Sequence, residues 1–214
     1  MKELKAALFD MDGVILDTEP IYDLFWEKAG ERYHAGLDNF ASAVKGITMP
    51  NIIDKYFSKC SPDDIQQLMS EVDDYEATMP LPPVPGAMAF LRILHEQGVR
   101  MGLVTSSGRD KVDRAIAQYK LEEVFGTIVA ADRIAEGKPN PLCYLLAARD
   151  LDVAPADCIV FEDSFNGIRA GNAAGMRVIG LSTTNPPEAI ASMVHDVIPD
   201  FEAITLARYA EWCG

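Results

Sequence analysis

The chain predicts an α/β protein: a doubly wound parallel sheet carrying a small α-helical domain inserted after its first strand. Three observations lead there. From residue 83 onward, short apolar runs alternate with segments of helical period. Residues 17 to about 80 break that alternation and read as purely helical. The proline-rich stretch Leu81-Pro82-Pro83-Val84-Pro85-Gly86 then forms a stiff return. The expected division is a core of residues 1–16 and 83–214 with a helical cap of residues 17–82.

In chain order, Ala6 to Phe9 is a short apolar run that reads as a buried strand. Asp10 and Asp12 follow it, on one side of an extended segment, and Gly13 permits a sharp turn. In the insert, Ser61-Pro62-Asp63-Asp64 is a helix start, with a capping serine, a first-turn proline and an acid three residues on. Ala87, Phe90, Leu91 and Leu94 fall at helical spacing, and Gly98 closes that helix. Val99 to Val104 reads as a strand ending in Thr105-Ser106-Ser107-Gly108, followed by a helix over 109–118. Thr127 to Ala130 is the next strand, and a turn at 137–141 opens a helix through Arg149. Cys158 to Phe161 is a strand ending in Glu162-Asp163-Ser164, and a helix stopping at Gly175 leads to the strand Arg177 to Leu181. Parallel sheets of this rhythm bind ligands beyond the carboxyl ends of their strands.

Composition narrows the function. A 214-residue chain with a net charge of −14 argues against nucleic acid and anionic membranes as partners. The same charge obliges a phosphorylated substrate to rely on a metal ion and a few placed cations. Cys60, Cys143, Cys158 and Cys213 are scattered, without a zinc spacing, and suit reduced thiols of a cytoplasmic protein. The apolar run after Lys5 is too short for a signal peptide, and no stretch has the length of a membrane span.

The charged and hydroxyl groups gather at strand ends. Asp10, Asp12, Glu162 and Asp163 supply carboxylates, Thr105 and Ser106 hydroxyls, and Lys138 an ammonium in the turn after another strand. Singly each has a plain structural explanation, as a turn residue, a solvated lysine or a helix cap. Together they form the set that phosphoryl transfer through an aspartyl nucleophile needs, and hard oxygen ligands in this number suit Mg²⁺.

Four motifs carry a resemblance across essentially the whole chain: FDMDGVILDTEP from Phe9, LVTSS from Leu103, GKPNP from Gly137 and VFEDSFNGIRA from Val160. The chain resembles the haloacid dehalogenase superfamily of aspartate-nucleophile phosphotransferases, in the branch of β-phosphoglucomutases and sugar phosphatases. The resemblance implies a Rossmann-like core. Asp10 is the implied nucleophile, and Asp12 the general acid and then the base. Mg²⁺ is the implied cofactor, held by Asp10, Asp163 and the main-chain oxygen of Asp12. Thr105 and the Ser106 backbone hold the phosphoryl oxygens, Lys138 offsets charge, and Glu162 acts from behind through Lys138 or a bound water. An ionised carboxylate can attack phosphorus, and its neighbour can carry a proton only if its side chain stays off the metal.

Mutases of this branch carry a histidine where Tyr22 stands and an arginine where Met49 stands in Lys45-Gly46-Ile47-Thr48-Met49. A phosphatase is therefore the expected activity, with a β-phosphoglucomutase as the alternative and a non-catalytic binding protein on the same fold as a third reading. Dehalogenation would not need Asp12 or Asp163, and phosphonate hydrolysis would ask Lys45 to form a Schiff base. Lys45 and Arg109 are candidate substrate contacts, with Tyr22, Trp26 and Ile47 nearby in the cap. Tyr22 and Trp26 also fit a packing role, since apolar residues recur around them at near-helical spacing. The substrate expected is a small phosphorylated metabolite, above all a sugar phosphate, and the protein is expected to be a monomer. His34, His95 and His195 lie away from all four motifs and carry no assigned role.

Overall fold

The computed structural model describes residues 4–214. Its apolar runs form β1 (Ala6–Phe9), β2 (Met101–Val104), β3 (Thr127–Val129), β4 (Cys158–Glu162), β5 (Arg177–Leu181) and β6 (Asp196–Ile198). All pair in parallel, in the order β3-β2-β1-β4-β5-β6. The chain works outward from β1 to β3, then crosses back to build the other half. β1 is therefore the switch point, with β2 on one side and β4 on the other. A crevice opens at such a point beyond the strand ends. The register sets Phe9 level with Leu103 and Phe161, so Asp10, Val104 and Glu162 arrive at one edge.

Period-2 alternation sends β1 side chains to opposite layers. Ala7 and Phe9 join one apolar cluster, and Ala6 and Leu8 another. On the first face Phe9 stacks on Phe161 with centroids 4.7 Å apart and planes 7° apart, and Phe90 stacks on Phe201 at 5.2 Å. On the second face Leu8 and Val160 meet Tyr144 and Ile168.

Between β1 and β2 the chain leaves the sheet to build α1 (Glu19–Arg32), α2 (Phe40–Val44), α3 (Met49–Tyr56) and α4 (Pro62–Thr78). Exit and return run side by side: Asp17 N donates to Pro82 O at 2.8 Å, and Val84 N to Ile15 O at 3.0 Å. Ser61 caps α4, its side chain accepting from Asp64 N at 3.1 Å. The remaining helices are α5 (Ala87–Glu96), α6 (Arg109–Tyr119), α7 (Leu142–Asp150), α8 (Phe165–Ala173), α9 (Pro187–Ile190) and α10 (Leu206–Trp212). Buried residues of α5, α6 and α10 belong to the Phe9 face, and those of α7, α8 and α9 to the Leu8 face.

Two elements differ from the sequence expectation. β2 starts at Met101 rather than Val99, because Val99 N closes the end of α5 by donating to Leu94 O at 3.1 Å. β6 was not anticipated: its three residues are an edge strand, half-buried at Asp196 and Val197, too short to show a period. No helix among the described residues is long and apolar enough to cross a membrane. All four cysteines are free.

Phe161 joins the strand carrying Glu162 to the strand carrying Asp10. Phe161→Ala is expected to cost about 3–5 kcal/mol, the usual range for emptying a buried aromatic position. A urea unfolding midpoint that barely moves would contradict this account of the core.

Candidate active site

The turn after β1 builds the first part of the site. Ile15 N and Leu16 N both donate to Met11 O at 2.9 Å, which curls residues 11–16 back over the strand end. Gly13 sits in this curl at φ +77°, and a side chain there would run into the Asp163 carboxylate. Asp10 continues the Leu8 face and Glu162 the Val160 face, so both carboxylates point toward α7. Lys138 meets them there. Its Nζ donates to Asp10 Oδ1 at 2.6 Å, to Glu162 Oε1 and to Val104 O at 3.3 Å, and it lies 5.2 Å from the Tyr144 ring centre.

Glu162 is held on both oxygens. Oε1 accepts from Lys138 and, at 2.8 Å, from the Tyr144 hydroxyl; Oε2 accepts from Asp163 N, Ser164 N and Ser164 Oγ at 3.0–3.1 Å. Those five donors make it an anchor for Lys138 rather than a free ligand. Asp163 differs. Thr184 donates to its Oδ2 and Asn185 to its main-chain oxygen, but Oδ1 is buried with no hydrogen-bond partner among the described residues.

Electrostatics point the same way. Burial, opposed by the Lys138 ammonium, pushes the Asp10 carboxyl up to about 8. Burial and the charge of Glu162 push Asp163 well above the carboxylate range. Burial is also the largest single influence on Asp12, but the Lys111 ammonium and the hydrogen bonds from Lys111, Thr18 and Ser107 together outweigh it and hold that carboxyl below its ordinary value. With all four ionised, the carboxylates of Asp10, Asp12, Glu162 and Asp163 would face two buried ammonium groups (Lys111, Lys138), leaving two negative charges unmatched. Ligand oxygens of Asp10, Glu162 and Asp163 lie within 4.8 Å of one another. Hard oxygen donors, a residual charge of this size and an orphaned Asp163 oxygen fit one divalent cation.

Asp12 is tied elsewhere. Thr18 Oγ1 and Lys111 Nζ donate to its Oδ1, and Ser107 Oγ donates to Oδ2 at 2.7 Å. Sequence reasoning assigned no part to Ser107 or Lys111. A signal existed: residues 111, 112, 115 and 116 form the buried stripe of α6, and a lysine on such a stripe needs a buried partner.

The other predicted residues divide. Thr105 is buried, and its Oγ1 accepts from Ser107 N at 3.0 Å. Ser106 Oγ donates to Gly46 O at 3.2 Å, joining this loop to the helical segment. Together with Asp10, Asp12 and Asp163 they line a cavity of about 240 Å³. Its opposite wall comes from α1 to α4 and includes Tyr22, Trp26, Ile47, Met49, Met69 and Val72. Lys45 lines it too, paired with Glu19 at 3.1 Å and Asp23 at 2.9 Å. Arg109 does not. Its guanidinium pairs with Asp113 at 2.9 Å along the exposed side of α6, where the next turn of its own helix supplies a carboxylate.

A parallel sheet with a paired aspartate and lysine at its switch point is the architecture of a known class of hydrolases. Residues 7–181 match the family described as haloacid dehalogenase-like hydrolase, and the chain belongs to it. Hexitol phosphatase A of Escherichia coli (strain K12) is 32% identical over 209 residues, 95% of this chain and 94% of that protein. The beta-phosphoglucomutase of Bacillus subtilis (strain 168) is 32% identical over 196 residues, 86% of this chain and 85% of that protein. In fold, the chain is similar to a solved beta-phosphoglucomutase from Clostridium difficile. The TM-score is 0.83 at 23% identity, over 99% of this chain and 97% of that one.

Gly167, in the first turn of α8, lies against the Glu162 carboxylate with no room for a Cβ. Gly167→Ala should displace Glu162, release Lys138 and cost about 1–3 kcal/mol, as overpacking does. Turnover should fall with it. A variant with wild-type melting temperature and turnover would show that Glu162 does not anchor Lys138.

Proposed function

We propose that this protein is a Mg²⁺-dependent phosphatase of a small phosphorylated metabolite, above all a sugar phosphate, acting through an aspartyl phosphate on Asp10. The supporting relatives include a hexitol phosphatase and a beta-phosphoglucomutase. The free cysteines support a reducing, cytoplasmic setting.

In this reading Asp10, Asp163 and the main-chain oxygen of Asp12 hold the metal. Bound Mg²⁺ supplies positive charge that offsets the phosphoryl oxygens and keeps its carboxylate ligands ionised. An Asp10 oxygen attacks phosphorus and the bond from phosphorus to the alcohol oxygen breaks; Asp12, ionised in the free site, relays to the departing oxygen a proton brought in by the phosphate monoanion of the substrate. Thr105 and Ser106 orient the phosphoryl group, and Lys138 offsets the charge that gathers on its oxygens. Water then attacks the aspartyl phosphate, Asp12 takes the proton, and inorganic phosphate leaves. Residues 17–82 act as the cap, shielding this chemistry from bulk water.

The choice between water and a second sugar hydroxyl rests on one observation. Among the described residues Lys45 is the one lysine or arginine lining the cavity, and Glu19 and Asp23 already hold it. Met49 faces the cavity where a mutase would carry an arginine. Among the described residues a sugar bisphosphate would find no free cation in the cavity for its second phosphate, which favours hydrolysis over mutase transfer.

A panel of phosphorylated sugars and polyols, read both for free phosphate and for isomerised sugar phosphate, tests this reading. Phosphate release without isomer is expected, and Asp10→Asn should abolish it. Isomer formation with little free phosphate would make the protein a mutase.

Metal binding should also depend on pH. Asp10 is pushed up to about 8 and Asp163 is raised too, so without the cation both bind protons that the unfolded chain releases near pH 4. A raised folded pKa stabilises at low pH, and that contribution is lost as pH rises toward about 8. Mg²⁺ removes this penalty by displacing the protons. It should therefore raise the melting temperature more near pH 8 than near pH 5, and release protons when added at about pH 7. Equal shifts at both pH values, without proton release, would contradict the assignment of these carboxylates as ligands.

A further inference from the structure

Lys111 is fully buried, with 0% of its side chain exposed, and does not line the cavity. Burying an ammonium group is costly unless it is paired and hydrogen-bonded. Among the described residues Asp12 is the only carboxylate with which Lys111 forms an ion pair. Nζ also donates to Tyr22 OH at 2.8 Å, lies 3.4 Å from Ser107 Oγ, and sits 4.3 Å from the Tyr22 ring centre.

The arrangement on Asp12 is directional. Ser107 stands just before α6, and Lys111 one turn later projects the same way. One helix start thus delivers a donor to each Asp12 oxygen, Lys111 to Oδ1 and Ser107 to Oδ2. Thr18, from the start of α1, adds a second donor to Oδ1. Held at both oxygens, the carboxylate has its plane fixed without help from a metal or a substrate.

Lys111 is itself held from the helical segment. The Tyr22 hydroxyl accepts from it and donates to Glu76 Oε1 on α4 at 2.5 Å. Farther along α6, Arg114 donates to the main-chain oxygens of Glu76 and, at 2.7 Å, of Met79. The helix that aims Lys111 is therefore fastened to α4, the element that contributes Glu76.

We propose that Lys111 is a positioning residue that aims the Asp12 carboxylate for the second half of the reaction, the hydrolysis of the aspartyl phosphate. This rests on the phosphatase reading above. In that step a water oxygen forms a bond to phosphorus, and the bond from phosphorus to Asp10 breaks with its electron pair returning to Asp10. The water proton goes to Asp12. Lys111 touches neither water nor phosphate; it sets where the accepting oxygen lies. General-base assistance of this kind is worth ~10²–10⁴-fold.

The test is Lys111→Met assayed with p-nitrophenyl phosphate, whose leaving group departs without a proton. The first half-reaction should then proceed, so kcat/KM should stay within about threefold of wild type. Steady-state kcat should fall at least ~100-fold. Nitrophenol should appear as a burst of about one per enzyme, with phosphate retained on the protein. Asp12→Asn should show the same burst, and adding Lys111→Met to it should slow turnover little further, as expected for residues acting as one unit. If the Met variant fails to fold, Lys111→Gln, which keeps a donor in much the same space, should show the burst with a smaller loss.

A fall of kcat and kcat/KM together, without a burst, would mean that Lys111 only supports the fold. Unchanged turnover would also overturn the proposal. The underlying reading is checked separately with Lys111 intact: nitrophenol release that survives Asp10→Asn removes the aspartyl phosphate, and this inference with it.

Discussion

Charge crowding at the carboxyl end of β1 is the constraint on which the rest of this structure depends. Four carboxylates are brought to one dry edge, and each needs a positive partner or a proton. The protein answers with two buried lysines delivered from far along the chain, Lys138 from the turn before α7 and Lys111 from α6. Each lysine takes a different aspartate, and this separates the roles of two side chains only two residues apart. Asp10 shares Lys138 with Glu162 beside the unpartnered oxygen of Asp163, while Asp12 is drawn aside by Lys111, Ser107 and Thr18. One carboxylate is left beside an unpartnered oxygen, the other is gripped at both of its own.

The apolar core serves that arrangement. Stacking of Phe9 on Phe161 fixes β1 against β4 one residue below the carboxylates, so their spacing is inherited from the packing of aromatic rings. The parallel ladder does the same on the β2 side, where Thr105 N donates to Val129 O at 2.9 Å and carries the hydroxyl loop to the same level. The helical segment closes the cavity from above. It contributes mostly apolar side chains and a lysine already neutralised by two acids. The strand end of the cavity is therefore polar, whereas the opposite wall is largely apolar and, among the described residues, its one lysine is already paired.

Much of the core site was legible because strand ends are legible. A short apolar run followed by Asp, Thr or Glu-Asp can be read locally, and the βα rhythm says that all such ends lie on one side of the sheet. Asp10, Thr105 and Asp163 are of this kind. Lys138 could be placed because its turn follows a strand. The pairings were not legible in the same way. Arg109 and Lys111 are two residues apart at the start of one helix, and composition alone favours either as an anion contact. Helix phase decides: residue 109 faces solvent and Asp113, while 111 shares the buried stripe with Ala115. β6 was missed for the opposite reason, since three residues at a sheet edge carry too little pattern to register.

The sequence by itself determined five of the six strands, the helical insert between the first two, and most of the residues that meet at the strand ends. Hydrophobic period and turn chemistry are local properties, and the handedness of βα units converts them into topology. Only the tertiary structure decided which ammonium neutralises which carboxylate, and that Asp12 is gripped at both oxygens by groups at the starts of α1 and α6. Those outcomes depend on distances of a few ångströms between segments about a hundred residues apart. Coulomb energy and desolvation act at that range, and neither leaves a periodic trace along the chain.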